Sequence, residues 1–208
     1  MSAARPVLII AEAGVNHNGS LARAIDMVDV AAVAGADIVK FQTFNSGALA
    51  TKAAPKAAYQ KVTTDAAQSQ LDMLKALELD EAAHMALMAH CAVRKIGFLS
   101  TPFDLASLDL LVKRLKVSSL KIGSGELTNA PLLFAAAQSG LDIILSTGMA
   151  NLEEIEKALG VLAAGYTGAM APDIENFAKA FQSKAGQDAL KRHVTLLHCT
   201  SAYPTPDE

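Results

Sequence analysis

The chain has 208 residues, 51% of them apolar, with few aromatics, no tryptophan and a formal net charge of -3. That length supports one domain with a sizeable aliphatic core, and the mildly acidic balance excludes an electrostatic case for nucleic acid or a membrane surface as partner. Cys91 and Cys199 stand far apart, with no CxxC and no zinc-finger spacing, so they read as free thiols of a reducing cytoplasm.

The chain opens on MSAARPVLIIAEAG, whose apolar run is too short for a signal segment or a membrane span and is ended by Glu12. This predicts a cytoplasmic protein. Val7 to Gly14 is the first strand-like run. SLARAIDMVDVAAVAG follows with helical spacing, Ser20 as N-cap and Gly35 as C-cap. Ala36 to Phe44 is the second strand. TKAAPKAAYQKVTTDAAQ then reads as a loop, SQLDMLKALEL as a short helix and Asp80 to Arg94 as a stronger one.

KIGFLSTPFD predicts a third strand, and DLASLDLLVKRL a helix opened by Asp104. VSSLKIGS is the fourth strand, followed by NAPLLFAAAQSG with Asn129 as N-cap. LDIILSTGM is the fifth, followed by the helix NLEEIEKALGVLAAG. Tyr166 to Arg192 reads as an insertion with a helix around Ile174 to Phe181, and HVTLLHCTSAYPTP as the sixth strand.

Continuous apolar strands alternating with helices imply a parallel sheet covered by helices. The repeat of roughly 22 to 29 residues suits a (β/α)8 TIM barrel. A doubly wound sheet is the rival, weakened by the lack of GxGxxG after the first strand. Only six strand-like runs are visible, whereas a closed barrel uses eight strands and about 250 residues. The expectation is one partial barrel domain over residues 1–208, the N-terminal part of a longer protein. A complete six-stranded open fold is the alternative.

Barrel chemistry gathers where strands end, and every predicted strand here ends in polar residues. They are Glu12, Asn16, His17 and Asn18; Lys40 and Gln42; Ser100, Thr101 and Asp104; Lys121, Ser124 and Glu126; Ser146 and Thr147; and His198, Thr200 and Tyr203. Lys121 lies between Leu120 and Ile122, and a bare ammonium is costly in an apolar interior. Two lysines among five hydroxyls (Ser100, Thr101, Ser124, Ser146, Thr147), with Gly123 and Gly125 baring backbone amides, suit a phosphate or carboxylate. Glu12, Asn16 and Tyr203 alternatively suit the hydroxyls of a neutral polyol. Blander readings stand beside these. NHNG is a turn, the lysines snorkel, Asp104 is a helix cap, and His84 and His90 are satisfied or solvated helix residues. His193 reads as surface, His198 as a candidate, and Cys199 as a small buried residue without a cationic neighbour.

IIAEAGVNHNGS, ADIVKFQTF, FLSTPFD, KIGSGELTN, ILSTGM and LLHCTSAYPTP occur in that order. Together they resemble the sialic acid synthase family (N-acetylneuraminate synthase and its legionaminic and pseudaminic relatives). The resemblance implies a (β/α)8 barrel with an antifreeze-like C-terminal domain. It also implies condensation of phosphoenolpyruvate with N-acetylmannosamine or a related N-acetylated amino sugar, with release of phosphate. By motif, Lys40, Thr101, Lys121, Ser124 and Ser146 correspond to phosphoenolpyruvate ligands, and Glu12 and Tyr203 to sugar ligands. With Glu12, Lys40 and Lys121 taken as catalytic, Asn16, Gln42, Glu126 and Ser201 complete the expected substrate-binding set. Ser201 stands where the family often has Asn. The resemblance further implies a divalent metal, manganese or magnesium, on two histidines of later SDHT-like and EKHF-like motifs, which this sequence lacks. No metal ligand is therefore assigned within it. A homodimer is implied for the full-length enzyme. Two other readings remain: a Schiff-base aldolase acting through Lys121, and a non-catalytic remnant that binds phosphate or a partner chain.

Overall fold

The computed structural model describes residues 7–49, 69–168 and 172–200. The predicted loop Thr51 to Gln68, together with Ser201 and Tyr203, lies outside them. The chain divides into two compact units, Met1–Ser100 and Thr101–Glu208.

In the first unit, β1 (Ile10–Gly14), β2 (Ile38–Thr43) and β3 (Gly97–Pro102, which ends just past it) follow one another in one sheet, in the order β1-β2-β3. β1 and β2 are parallel, with Glu12 opposite Lys40 and an irregularity between Glu12 and Gly14. Helix α1 (Leu21–Val33) starts at Ser20, whose hydroxyl accepts the Arg23 amide. It closes at Ala34, and Gly35 takes the left-handed φ that turns the chain toward β2. A short turn α2 (Ser46–Leu49) and the brief helix α3 (Gln70–Lys75) precede α4 (Glu81–Arg94), which is capped by Asp80. Alternation along the strands places Ala13, Val39 and Phe41 on the helix-facing side of the sheet. There they form the core with Ala24, Val28 and Ala31 of α1 and Leu87 and Cys91 of α4.

The second unit holds the sheet β4 (Ser119–Ile122), β5 (Asp142–Ser146) and β6 (Val194–Leu197), in that order and all parallel. Helix α5 (Leu105–Asp109) runs into a π-turn at Leu110–Arg114. α6 (Ala130–Gln138) begins at the cap Asn129, and a short 3-10 turn at Ser124–Glu126 precedes it. α7 (Leu152–Thr167) begins with a reciprocal capping box between Asn151 and Glu154. The expected insertion contains α8 (Ile174–Gln182) and a second helix, α9 (Lys184–His193). Charged residues hid the pattern of α9, in which only Gly186 and Leu190 are buried. Leu120, Ile122, Leu132, Leu133, Ile143, Leu145 and Leu162 form the buried interior of this unit. Among the described residues no helix is long and apolar enough to cross a membrane.

Candidate active site

Two polar clusters form at strand ends, one in each unit. In the first, Glu12 on β1 and Lys40 on β2 are register partners on the face away from the aliphatic core. Lys40 Nζ meets the Glu12 carboxylate at 2.5 Å. Gln42, two residues further along β2, shares this face. Gly14 lies between them with φ +54°, and a Cβ there would come 3.1 Å from Glu12 Oε1 and 3.7 Å from Gln42 Nε2. A side chain at position 14 would crowd both polar groups and strain the backbone. Asn16 lies on the exposed turn that follows, where its amide bonds Ala13 O.

In the second unit, Lys121 Nζ donates to Ser146 Oγ at 2.5 Å and to the Ile122 carbonyl at 2.8 Å. Its residue is only 7% exposed, so the charge lies in a shell of oriented dipoles rather than in water. Thr101 packs over Gly123, where an added Cβ would come 3.9 Å from its methyl. Gly148 is the tighter position: a Cβ would lie 3.2 Å from Ser124 Oγ and 3.3 Å from the Thr200 carbonyl. Ser124, Ser146, Gly148, Cys199 and Thr200 thus surround the lysine end of the cluster. Burial works to raise the Cys199 thiol pKa. The Ser146 hydroxyl, the Thr147 and Gly148 amides and the Lys121 charge outweigh it and hold the thiol below its ordinary value. Groups that stabilise a thiolate also stabilise a phosphate or carboxylate oxygen.

Several expectations are corrected. Ser100 does not share a face with Thr101, because successive strand residues point to opposite sides. It turns to the helix layer and bonds Thr43 Oγ1 at 2.7 Å. His17 is fully buried beside Phe41, with its Nδ1 accepting the Gly19 amide. It therefore lies on the core side of the sheet, opposite Glu12. His193 is not a free surface group: it stacks on Tyr166 and bonds Asp142 at 2.8 Å. Cys199 does have a cationic neighbour, Lys121. Gly125 has nothing within 4 Å of an added Cβ, so it is Gly148 that allows the close approach. Thr147 bonds the Leu197 carbonyl with both its amide and its hydroxyl, which ties β5 to β6. Glu126 accepts from the Asn129 amide nitrogen, as part of the turn that opens α6. Asp104, by contrast, is the helix cap expected of it, its carboxylate accepting from the Ser107 amide and hydroxyl.

The family model described as "NeuB family" matches residues 27–208. The chain belongs to the NeuB family. It is 48% identical to the N,N'-diacetyllegionaminic acid synthase of Campylobacter jejuni over 97% of this chain and 54% of that protein. Against the synthase of the same name from Legionella pneumophila it is 42% identical, over 94% and 49% of the two chains. The crystal structure of the N-acetylneuraminic acid synthetase of Leptospira borgpetersenii, solved with citrate, superposes with a TM-score of 0.71 at 34% identity. That match covers 98% of this chain and 57% of the other. The chain thus spans about half the length of the relatives it matches.

Gly148 and the setting of Cys199 were missed from sequence. STGM offered a weak signal for the first, a glycine directly after two strand-end hydroxyls. Nothing in sequence brings Cys199 to Lys121, because the link forms only when β6 pairs with β5.

Proposed function

We propose that the chain is the N-terminal part of a sugar-acid synthase barrel that condenses phosphoenolpyruvate with an N-acetylated amino sugar and releases phosphate. The observation that carries this reading is the Lys121 cradle: a buried ammonium donating to Ser146, ringed by Ser124, Gly148 and Cys199. Charge-assisted hydrogen bonds from such a group suit the carboxylate and phosphate of phosphoenolpyruvate and offset the lysine's desolvation. In the first unit, Glu12, Lys40 and Gln42 form a polar cluster with a buried cation, and the family motifs assign these residues to substrate. Thr101 is assigned to the anion, and Asn16, Glu126, Ser201 and Tyr203 to the sugar. The relatives named as legionaminic acid synthases support this substrate class.

The chemistry asked of these residues is positioning and charge stabilisation. Lys121 and its hydroxyl neighbours hold phosphoenolpyruvate with its enol carbon facing the sugar aldehyde. As that carbon bonds the aldehyde carbon, the aldehyde oxygen takes the C=O electron pair and a proton. The adjacent carbon becomes cationic and water adds there, giving up that proton. Its hydroxyl then loses its second proton as the carbon–oxygen bond to phosphate breaks, leaving a keto group and phosphate in the cationic cradle. The described residues do not fit a divalent metal of their own, since no three His, Cys, Asp or Glu side chains are grouped to hold one. No step is therefore routed through manganese or magnesium. Cytoplasmic location, a homodimeric full-length enzyme and an eight-stranded barrel belong to the same reading.

Phosphate release by the full-length gene product, measured with and without N-acetylmannosamine or its relatives, tests it. Release that depends on the sugar supports the synthase. A borohydride-trapped adduct on Lys121 would favour the aldolase instead.

A further inference from the structure

The helix-facing side of the first sheet carries a second polar group, which the proposed reaction does not use. His84, fully buried on α4, places Nδ1 2.9 Å from the Asp80 carbonyl and Nε2 2.9 Å from Thr43 Oγ1. Thr43 Oγ1 in turn lies 2.7 Å from Ser100 Oγ. Thr43 and Ser100 are 3% and 1% exposed.

The directions of these bonds follow from chemistry. A backbone carbonyl only accepts, so Nδ1 of a neutral imidazole carries the proton and Nε2 accepts. The Thr43 hydroxyl must then donate to His84, which leaves its oxygen to accept from Ser100. One ring therefore fixes two hydroxyls, one at the end of β2 and one on β3. The same ring meets Phe98 edge-on, and Phe98 stacks on Phe41, so apolar contacts clamp the two strands at the same level.

β2 alternates: Phe41 and Thr43 face the helices, Lys40 and Gln42 face the other side. A strand cannot rotate on one face without rotating on the other. We infer that His84 and Thr43 are positioning residues: their buried hydrogen-bond chain sets the rotation of β2 and so holds Lys40 and Gln42 in place beside Glu12. The inference rests on Lys40 being a substrate-facing group.

Amine labelling read by mass spectrometry tests it, with Lys121 as internal control, because the two lysines are almost equally buried at 8% and 7% exposed. Thr43→Val keeps the shape and removes both hydrogen bonds, Thr43→Ser keeps the hydroxyl, and His84→Phe keeps the ring without its nitrogens. The expected result is that Thr43→Val and His84→Phe raise labelling of Lys40 roughly fivefold or more while Lys121 is unchanged, and that Thr43→Ser stays near wild type. Unchanged Lys40 labelling in a folded Thr43→Val chain would overturn the inference. So would a parallel rise at Lys40 and Lys121, which signals general loosening. If one variant does not fold, the other decides; if neither folds while Thr43→Ser does, the role is structural and the inference fails. The substrate reading is tested separately on wild type, where phosphoenolpyruvate should protect both lysines. Absent protection counts against that reading, whereas the labelling contrast among variants counts for or against the positioning role.

Discussion

Lys40 and Glu12 form an ion pair at 2.5 Å in which the lysine side chain is 10% exposed and the glutamate 55%. The asymmetry decides what each partner does. Lys40 lies mostly out of water with Glu12 as its paired charge, whereas Glu12 has access to water. Glu12→Gln should therefore destabilise the chain by about 1–3 kcal/mol, toward the lower end for broken buried pairs because one partner is solvated. Adding Lys40→Met should recover part of that loss. Urea denaturation of the single and double variants measures both.

Ser146 and Lys121 share the shortest bond in the second cluster, at 2.5 Å. Ser146→Ala leaves a buried ammonium short of one acceptor. A cost of about 1–3 kcal/mol in stability follows. The same variant should weaken binding of an anionic ligand by about tenfold, checked by titration with inorganic phosphate.

Gly148 and Gly125 provide a matched contrast. An added methyl at position 148 lies 3.2 Å from Ser124 Oγ and 3.3 Å from a carbonyl, while position 125 opens onto empty space. Gly148→Ala should perturb the Ser124 and Thr200 signals in NMR spectra and lower phosphate affinity. Gly125→Ala should leave both near wild type.

His17 and His84 both have imidazole pKa values below the ordinary 6.5. Burial is the main cause for each, aided in His17 by the charge of His84 and opposed in His84 by the Asp80 carbonyl and carboxylate. Above pH 6.5 both folded and unfolded chains keep these rings neutral, and they give no pH dependence. Below it the unfolded chain takes up protons that the folded chain refuses, so stability falls with falling pH until the lowered folded values are reached. The urea midpoint should be lower at pH 5.5 than at pH 7.5, and His84→Gln should show a shallower decline.

The two cysteines separate by environment. Burial pushes Cys91 up to about 11, while Cys199 is held below its usual value by hydrogen bonds and Lys121. Iodoacetamide at neutral pH should alkylate Cys199 at least roughly tenfold faster than Cys91, as peptide mass mapping would show.

Much of this arrangement was legible in sequence, for identifiable reasons. Apolar runs mark parallel strands, so LKIG announced itself. VLIIAEAG did so for its second part, since the strand is Ile10–Gly14 while Val7, Leu8 and Ile9 are exposed. Capping residues such as Asn129 and Asp104 marked helix starts. A lysine inside such a run stands out in sequence, and the structure finds Lys121 buried and hydrogen-bonded to Ser146. What sequence did not reveal depends on pairing and facing. Ser100 and Thr101 look equivalent on paper, yet strand alternation sends one to Thr43 and the other toward Gly123. His84 read as a satisfied or solvated helix residue. Its two bonds confirm the first, but its link to β2 spans 41 positions, and no local pattern encodes it.

The most direct test of the central claim is a 31P NMR titration of phosphoenolpyruvate with the wild-type chain and with Lys121→Met. The account predicts saturable broadening or shift of the phosphate signal in wild type and its loss in the variant, with circular dichroism showing both folded. No binding by the folded wild type, or equal binding by Lys121→Met, would contradict it.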